Sequence, residues 1–226
     1  MNSSLVYILL LFFIVYACSG ASVFETKEEL TAHIYDPMNE FTTQVQQGDF
    51  TLTATYLPLE LMLASETEYL NQLLERGAAE GQIAKQKEFI EKYKQGYEQN
   101  LYFKMVIAPV KEEDLIYAKL GSGFDSYSHW LQKLLFGIKE EITLVTEQKQ
   151  EVPLLSYQMD RNYGTVHSRS FLLTFPRQWN EQQVFSGDKF LIRVDEFGLG
   201  VGRVRLPFNV PFPKVDLKSK KLQSRN

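Results

Sequence analysis

The sequence predicts an α+β fold rich in β-structure. Mainly antiparallel sheet or a β-sandwich of about eight strands is expected, with a central helical insertion. Three observations carry this. Strand-like segments lie both before and after one block of helical periodicity, which argues against alternating βαβ units. The stretch after Lys139 reads as consecutive hairpins separated by turn residues. No repeat with a fixed period of about 20–50 residues is visible.

The elements follow in order. Ser22 to Glu29 is short and charged, and reads as part of a tether covering 18–35. Asp36-Pro37 marks a boundary. Glu40 to Gln46 is a strand, Gln47-Gly48-Asp49 a turn, and Phe50 to Tyr56 a second strand. In that second strand Phe50, Leu52, Ala54 and Tyr56 face one side and Thr51, Thr53 and Thr55 the other, the period of a half-buried strand. The two form a hairpin.

Pro58 opens the helical insertion, expected over 58–98. Leu59, Met62, Leu63, Leu70, Leu73 and Leu74 make an apolar stripe, punctuated by Gly77 and Gly81. A second helix from about Gln82 to Gln95 carries Ile83, Phe89, Ile90 and Tyr93 beside a mixed-charge face. Leu101 to Ala108 is a strand stopped by Pro109. Ser126 to Phe136 is a short helix ended by Gly137. Ile142 and Leu144 belong to one strand and Leu155, Tyr157 and Met159 to the next, with Gln148-Lys149-Gln150 between them. Ser170 to Phe175, Lys189 to Glu196 and Arg203 to Val210 are further strands. The globular domain is expected over 36–213, with 214–226 as a loose basic tail.

Composition narrows the function. The chain has 226 residues, with 24 Lys+Arg against 28 Asp+Glu, three His and one Cys. One Cys excludes an internal disulfide and any zinc site built on paired Cys ligands. The mild negative charge argues against nucleic acid as a partner. No cofactor motif is present.

The N-terminus is the most informative segment. Leu5 to Ala17 is an uncharged run of 13 apolar or aromatic residues. That is about 20 Å as a helix, short for a membrane span and suited to a signal-peptide core. It leads into Val15-Tyr16-Ala17-Cys18-Ser19-Gly20. An aliphatic residue three before the Cys and a small one directly before it resemble the lipobox of bacterial lipoprotein signal sequences. The resemblance covers residues 1–20 only. It implies removal of 1–17, a diacylglycerol on the Cys18 thiol and acylation of the new amine. Tyr16 is bulkier than the pattern prefers, and the segment before Leu5 has no Lys or Arg. Two other outcomes stay open: cleavage after Ala21, giving a secreted or periplasmic soluble protein, and an uncut anchor.

Candidate chemistry in the folded part is sparse. Gly198-x-Gly200-x-Gly202 is motif-like, but a strand follows where a dinucleotide fingerprint needs a helix. Positive φ in a hairpin explains it better. Asp125 and His129 are helix neighbours and read as first-turn charge and cap, with Ser126 and Ser128 too close in sequence for a triad. His33 with Asp36, and His167, are isolated. Glu112-Glu113-Asp114, Glu140-Glu141 and Asp195-Glu196 are acidic runs from which no catalytic pair can be chosen. Tyr93, Tyr97, Tyr102, Tyr117, Tyr127, Trp130, Tyr157, Tyr163 and Trp179 are candidates for an aromatic face. Arg177 and Trp179, in one long loop, are the first candidates for ligand contact.

The resulting expectation is a lipid-anchored protein of the bacterial cell envelope, facing the periplasm or in the outer membrane. Its domain is non-catalytic, a binding or structural module. Its partners are membrane lipid, through Cys18, and an envelope protein or polymer. The alternative is an envelope hydrolase whose active-site residues are dispersed in sequence.

Overall fold

The computed structural model describes residues 21–111, 123–160, 167–196, 198 and 200–219. Its architecture is α+β and rich in strands, mainly antiparallel. One sheet has five strands in the order β2 (Thr42–Gln47), β3 (Phe50–Leu57), β4 (Asn100–Pro109), β8 (Arg169–Pro176) and β7 (Ser156–Met159). The other has four, in the order β12 (Val204–Asn209), β11 (Lys189–Val194), β5 (Ile142–Thr146) and β6 (Glu151–Pro153).

Strand periodicity builds the core between the two sheets. In β4, Leu101, Phe103, Met105 and Ile107 are fully buried while the residues between them are half-buried. In β11 and β12, Phe190, Ile192, Val194, Val204, Leu206 and Phe208 alternate inward in the same way. The inward rows meet: Phe103 lies 5.8 Å from Phe190 and 5.5 Å from Phe208, ring centre to ring centre. Aromatic pairs at this spacing add about 0.5–1.5 kcal/mol beyond their buried area.

The first hairpin forms as expected. Gln47 pairs with Phe50 across a two-residue turn in which Gly48 has φ +60°. Such primed turns match the twist of the flanking strands. The alternation in β3 then fails at its end, where Thr55 and Leu57 are buried as well. The outer side there is covered by helix α1 (Lys27–Tyr35). Burying Thr55 leaves a hydroxyl to satisfy. It hydrogen-bonds the Thr42 hydroxyl at 2.9 Å, and Thr42 also donates to the Ile34 carbonyl.

Helix α1 corrects the tether expectation. Thr26 caps it, accepting from the Glu29 amide, and Leu30 and Ile34 are fully buried. Just before it, β1 (Ser22–Phe24) pairs in parallel with β13 (Val215–Leu217). The start of the expected loose tail is therefore a strand, with Val215 and Leu217 buried and Asp216 exposed. Three-residue strands are too short for alternation to register, and their partner lies almost 200 residues away in the sequence.

The helical insertion consists of α2 (Leu59–Met62), α3 (Ala64–Glu75) and α4 (Glu80–Tyr97). Gly77, at φ +64°, ends α3. The Ala78 amide reaches the Leu73 carbonyl and the Gly77 amide the Leu74 carbonyl, the Schellman pattern. The hairpin has a small core of its own in Leu70, Leu73 and Ile83.

Two further boundaries differ from expectation. Helix α5 (Phe124–Gln132) does not stop at Gly137: it continues through a π-helical turn (Lys133–Gly137) into α6 (Ile138–Glu141). Trp130, Leu134 and Ile138, spaced by four, are all buried, and that burial outweighs the glycine. Strand β5 pairs with β6 at Glu151–Pro153, not with Tyr157. The chain then passes through buried Leu154 to the other sheet, where β7 pairs with β8. One apparent strand is thus two, divided where the chain changes sheets.

Candidate functional site

A cavity of about 590 Å³ opens at the end of the sandwich where β1 enters the fold. Its wall includes Ala21, Tyr56, Glu60, Phe185, Phe212 and Asp216. Each element places one part. Strand β3 ends by presenting Tyr56, and Pro58 turns the chain so that Glu60 falls in the first turn of α2. Pro211 and Pro213 lie in the connection to β13, which carries Phe212 to the wall and then Asp216. Such a volume falls within the usual range for small-molecule sites, about 300–1,000 Å³.

Part of the wall is aromatic. Phe212 stacks on Tyr56 at 4.2 Å and lies 5.6 Å from Phe185. Tyr56 is 5.6 Å from Phe185. Glu60 and Asp216 add two carboxyl groups to the wall. Burial pushes the Glu60 carboxyl above its usual value, opposed by its own backbone N–H, and the Asp216 carboxylate pushes it further up. Arg177 and Lys94 pull it down more weakly. Burial also raises the Tyr56 phenol, and the Arg177 guanidinium partly offsets this.

Arg177 therefore stands behind the cavity, next to Tyr56 and Glu60, without lining it. Its Nη2 donates to the Asn100 carbonyl at 3.4 Å, while its buried Nε has no hydrogen-bond partner among the described residues. Trp179 is not in the cavity wall. It packs half-buried against the core, in a short β9–β10 hairpin (Gln178–Trp179 with Gln182–Gln183). Neither Arg177 nor Trp179 lines this cavity.

The other candidates fall as follows. Gly198, Gly200 and Gly202 all have positive φ, as a hairpin loop requires. Their amides converge on the Glu196 carboxylate at 2.7, 3.0 and 2.7 Å, so the cradle is filled by the chain's own anion. Asp195 pairs with Arg193 and Arg203, and Glu141 with Lys133. His129 Nδ1 lies 3.0 Å from the Asp125 backbone carbonyl, so it contacts the helix and not the carboxylate. His33 packs on Phe24 and sits 3.3 Å from the Asn39 amide. Among the described residues no three His, Cys, Asp or Glu are arranged to hold a metal.

Of the aromatic candidates, Tyr93, Tyr97 and Tyr102 join Phe89 in a ladder, with successive ring centres 4.3, 6.1 and 5.3 Å apart. Trp130 is buried against Gly198, Tyr127 packs beside it, and Tyr157 is half-buried. Cys18, Glu112, Glu113, Asp114, Tyr117 and Tyr163 lie outside the described residues. No helix among the described residues is long and apolar enough to cross a membrane.

Sequence reading missed Glu60, Phe185, Phe212 and Asp216. Glu60 looked like the polar face of a helix and Asp216 like part of a tail. The one signal available was Pro211-Phe212-Pro213, a stiff segment that presents a large aromatic residue.

No family model matches the chain, and no curated protein does. Among solved structures, it is similar to a DUF4426 family protein from Pseudomonas aeruginosa PAO1. The identity is 11%, with 77% of this chain and 97% of that one covered, at a TM-score of 0.33. It is also similar to a novel protein of unknown function from Burkholderia pseudomallei. There the identity is 12%, with 74% and 78% covered, at a TM-score of 0.34. Neither likeness says anything of this chain's chemistry.

Proposed function

We propose that this is a lipid-anchored protein of the bacterial cell envelope whose domain binds a ligand at the membrane-facing end. The observation that carries the reading is the position of β1. Strand pairing begins at Ser22, four residues after Cys18. Four extended residues span at most about 14 Å. An acylated Cys18 thus holds the domain close against the lipid, with the cavity that Ala21 borders near the bilayer surface. Two or more acyl chains make such attachment stable.

The experiment compares the full chain with Cys18→Ala in a bacterial host, following labelled fatty acid and membrane fractionation. Loss of both label and membrane retention in the variant is expected. Equal retention of both, or a mature chain whose first residue is Ser22, sinks the anchor.

A second reading, an envelope hydrolase, draws on one feature. Glu60, its pKa raised by burial, shares a cavity with Asp216, and a pair of carboxyl groups in one cavity is the raw material of acid–base catalysis. Turnover of an envelope glycan or ester that Glu60→Gln abolishes would favour it over binding.

A further inference from the structure

We infer that the cavity beside Ala21 binds a substituted ammonium ion, of the kind carried by a choline or ethanolamine headgroup or by a free amine. This deepens the reading of the domain as a binding module and does not depend on the anchor.

Two carboxylates and three aromatic rings line this cavity. Glu60 and Asp216 both face the cavity, and neither is held by an ion pair among the described residues. Burial disfavours the Glu60 anion and Asp216 adds like-charge repulsion, which Arg177 and Lys94 offset only in part. Among the described residues Lys214 is the only basic side chain in the wall, so the formal charge of that lining is −1. An anionic ligand would meet two carboxylates. A neutral apolar ligand would displace water from Glu60 and compensate nothing. A cation relieves both costs at once.

The aromatic residues of the wall favour the same class. Tyr56, Phe185 and Phe212 lie within 4.2–5.6 Å of one another, ring centre to ring centre, and line the same cavity as the two carboxylates. Aromatic rings attract cations through their quadrupole, and rings in a group are the common recognition device for quaternary ammonium. A strongly hydrated metal ion prefers several oxygen ligands and gains nothing from this wall. An organic ammonium presents both a positive charge and an apolar shell, and the cavity offers a counterpart to each.

The test is calorimetric titration of the full chain, held in a non-ionic detergent. The probes are choline, ethanolamine, glycerophosphocholine and the neutral tert-butyl isostere of choline. Saturable binding of the ammonium probes, with none of the isostere, is expected. Glu60→Gln should weaken that binding roughly tenfold or more, because it removes a charge-assisted contact. Asp216→Asn should weaken it less, since Asp216 is more exposed. Cooperative thermal unfolding of each variant shows that it is folded, and Phe136→Ala, at a side chain outside the cavity, should bind like the parent. Tighter binding of glycerophosphocholine than of choline identifies a lipid headgroup as the source, and equal binding a free amine. The inference is overturned if the isostere binds as well as choline, if folded Glu60→Gln binds unchanged, or if neither choline nor ethanolamine saturates the protein. Cys18→Ala should bind choline like the parent, so failure here and failure of the anchor are separate results.

Discussion

Replacing Phe103 by Ala should remove much of the domain's stability, and the loss should be shared across the two sheets. Phe103 is fully buried in β4, with ring centres of Tyr56, Phe175, Phe190 and Phe208 at 5.4–5.9 Å. A buried Phe→Ala change costs about 3–5 kcal/mol in transfer and cavity terms. Total stability of a domain is about 5–15 kcal/mol, so this is a large share. Phe136→Ala is the contrast: that side chain is 80% exposed and its removal should matter by about 0.5 kcal/mol or less. Urea unfolding followed by fluorescence reads both as shifts in midpoint. The decisive step is a double-mutant cycle with Phe208→Ala on β12. Direct contact between the sheets predicts a coupling of about 0.5–1.5 kcal/mol. Costs that add to within about 0.3 kcal/mol would refute the packing of β4 on β12, and with it the sandwich.

Other outcomes follow from single sites. Glu60 has a raised folded-state pKa, so the fold binds its proton more tightly than the unfolded chain does. Its contribution to stability is full below the unfolded pKa and is lost as pH rises through the folded value. Glu60→Gln should therefore raise the urea midpoint at neutral pH and change it little in acid; a variant less stable than the parent at every pH would contradict this. Glu151 behaves oppositely, because hydrogen bonding to Arg193 holds its carboxyl below the usual value. The small stabilisation it gives is present above the unfolded pKa, fades as pH falls through the folded one, and should vanish for Glu151→Gln or in high salt. Gly48→Ala should cost about 1–2 kcal/mol in the same melts, since φ is +60° and the new Cβ would lie 3.3 Å from Val201 Cγ1. Glu196→Ala removes the shared acceptor of three glycine amides, so hydrogen exchange at Gly198, Gly200 and Gly202 should quicken while the β4 core stays protected.

Much of this fold was legible because its strands are long and half-buried. In β3, β4 and β12 alternation reports one dry and one wetter face, and Gly48 and Pro109 mark ends through backbone rules that act locally. The Gly198–Gly202 loop was legible for the same reason: positive φ is a local demand. Reading failed where the outcome hangs on a distant partner. Nothing near Ser22–Phe24 indicates that Val215–Leu217 will pair with it, and nothing in Glu151–Met159 marks the change of sheet. Gly137 looked like a helix end because propensity was weighed without the burial of Ile138.

The candidate site divides in the same way. The sequence by itself determined the β-rich class, the hairpins, the absence of a cysteine framework and the setting of Cys18 after an apolar run, since each depends on neighbours in the chain. Only the tertiary structure decided that Tyr56, Glu60, Phe185, Phe212 and Asp216 share one cavity beside Ala21. Those residues span 160 positions of sequence, and their common ground is the end of a sandwich closed by a parallel strand pair. Desolvation of Glu60 is likewise a property of that enclosure, which no pattern along the chain encodes.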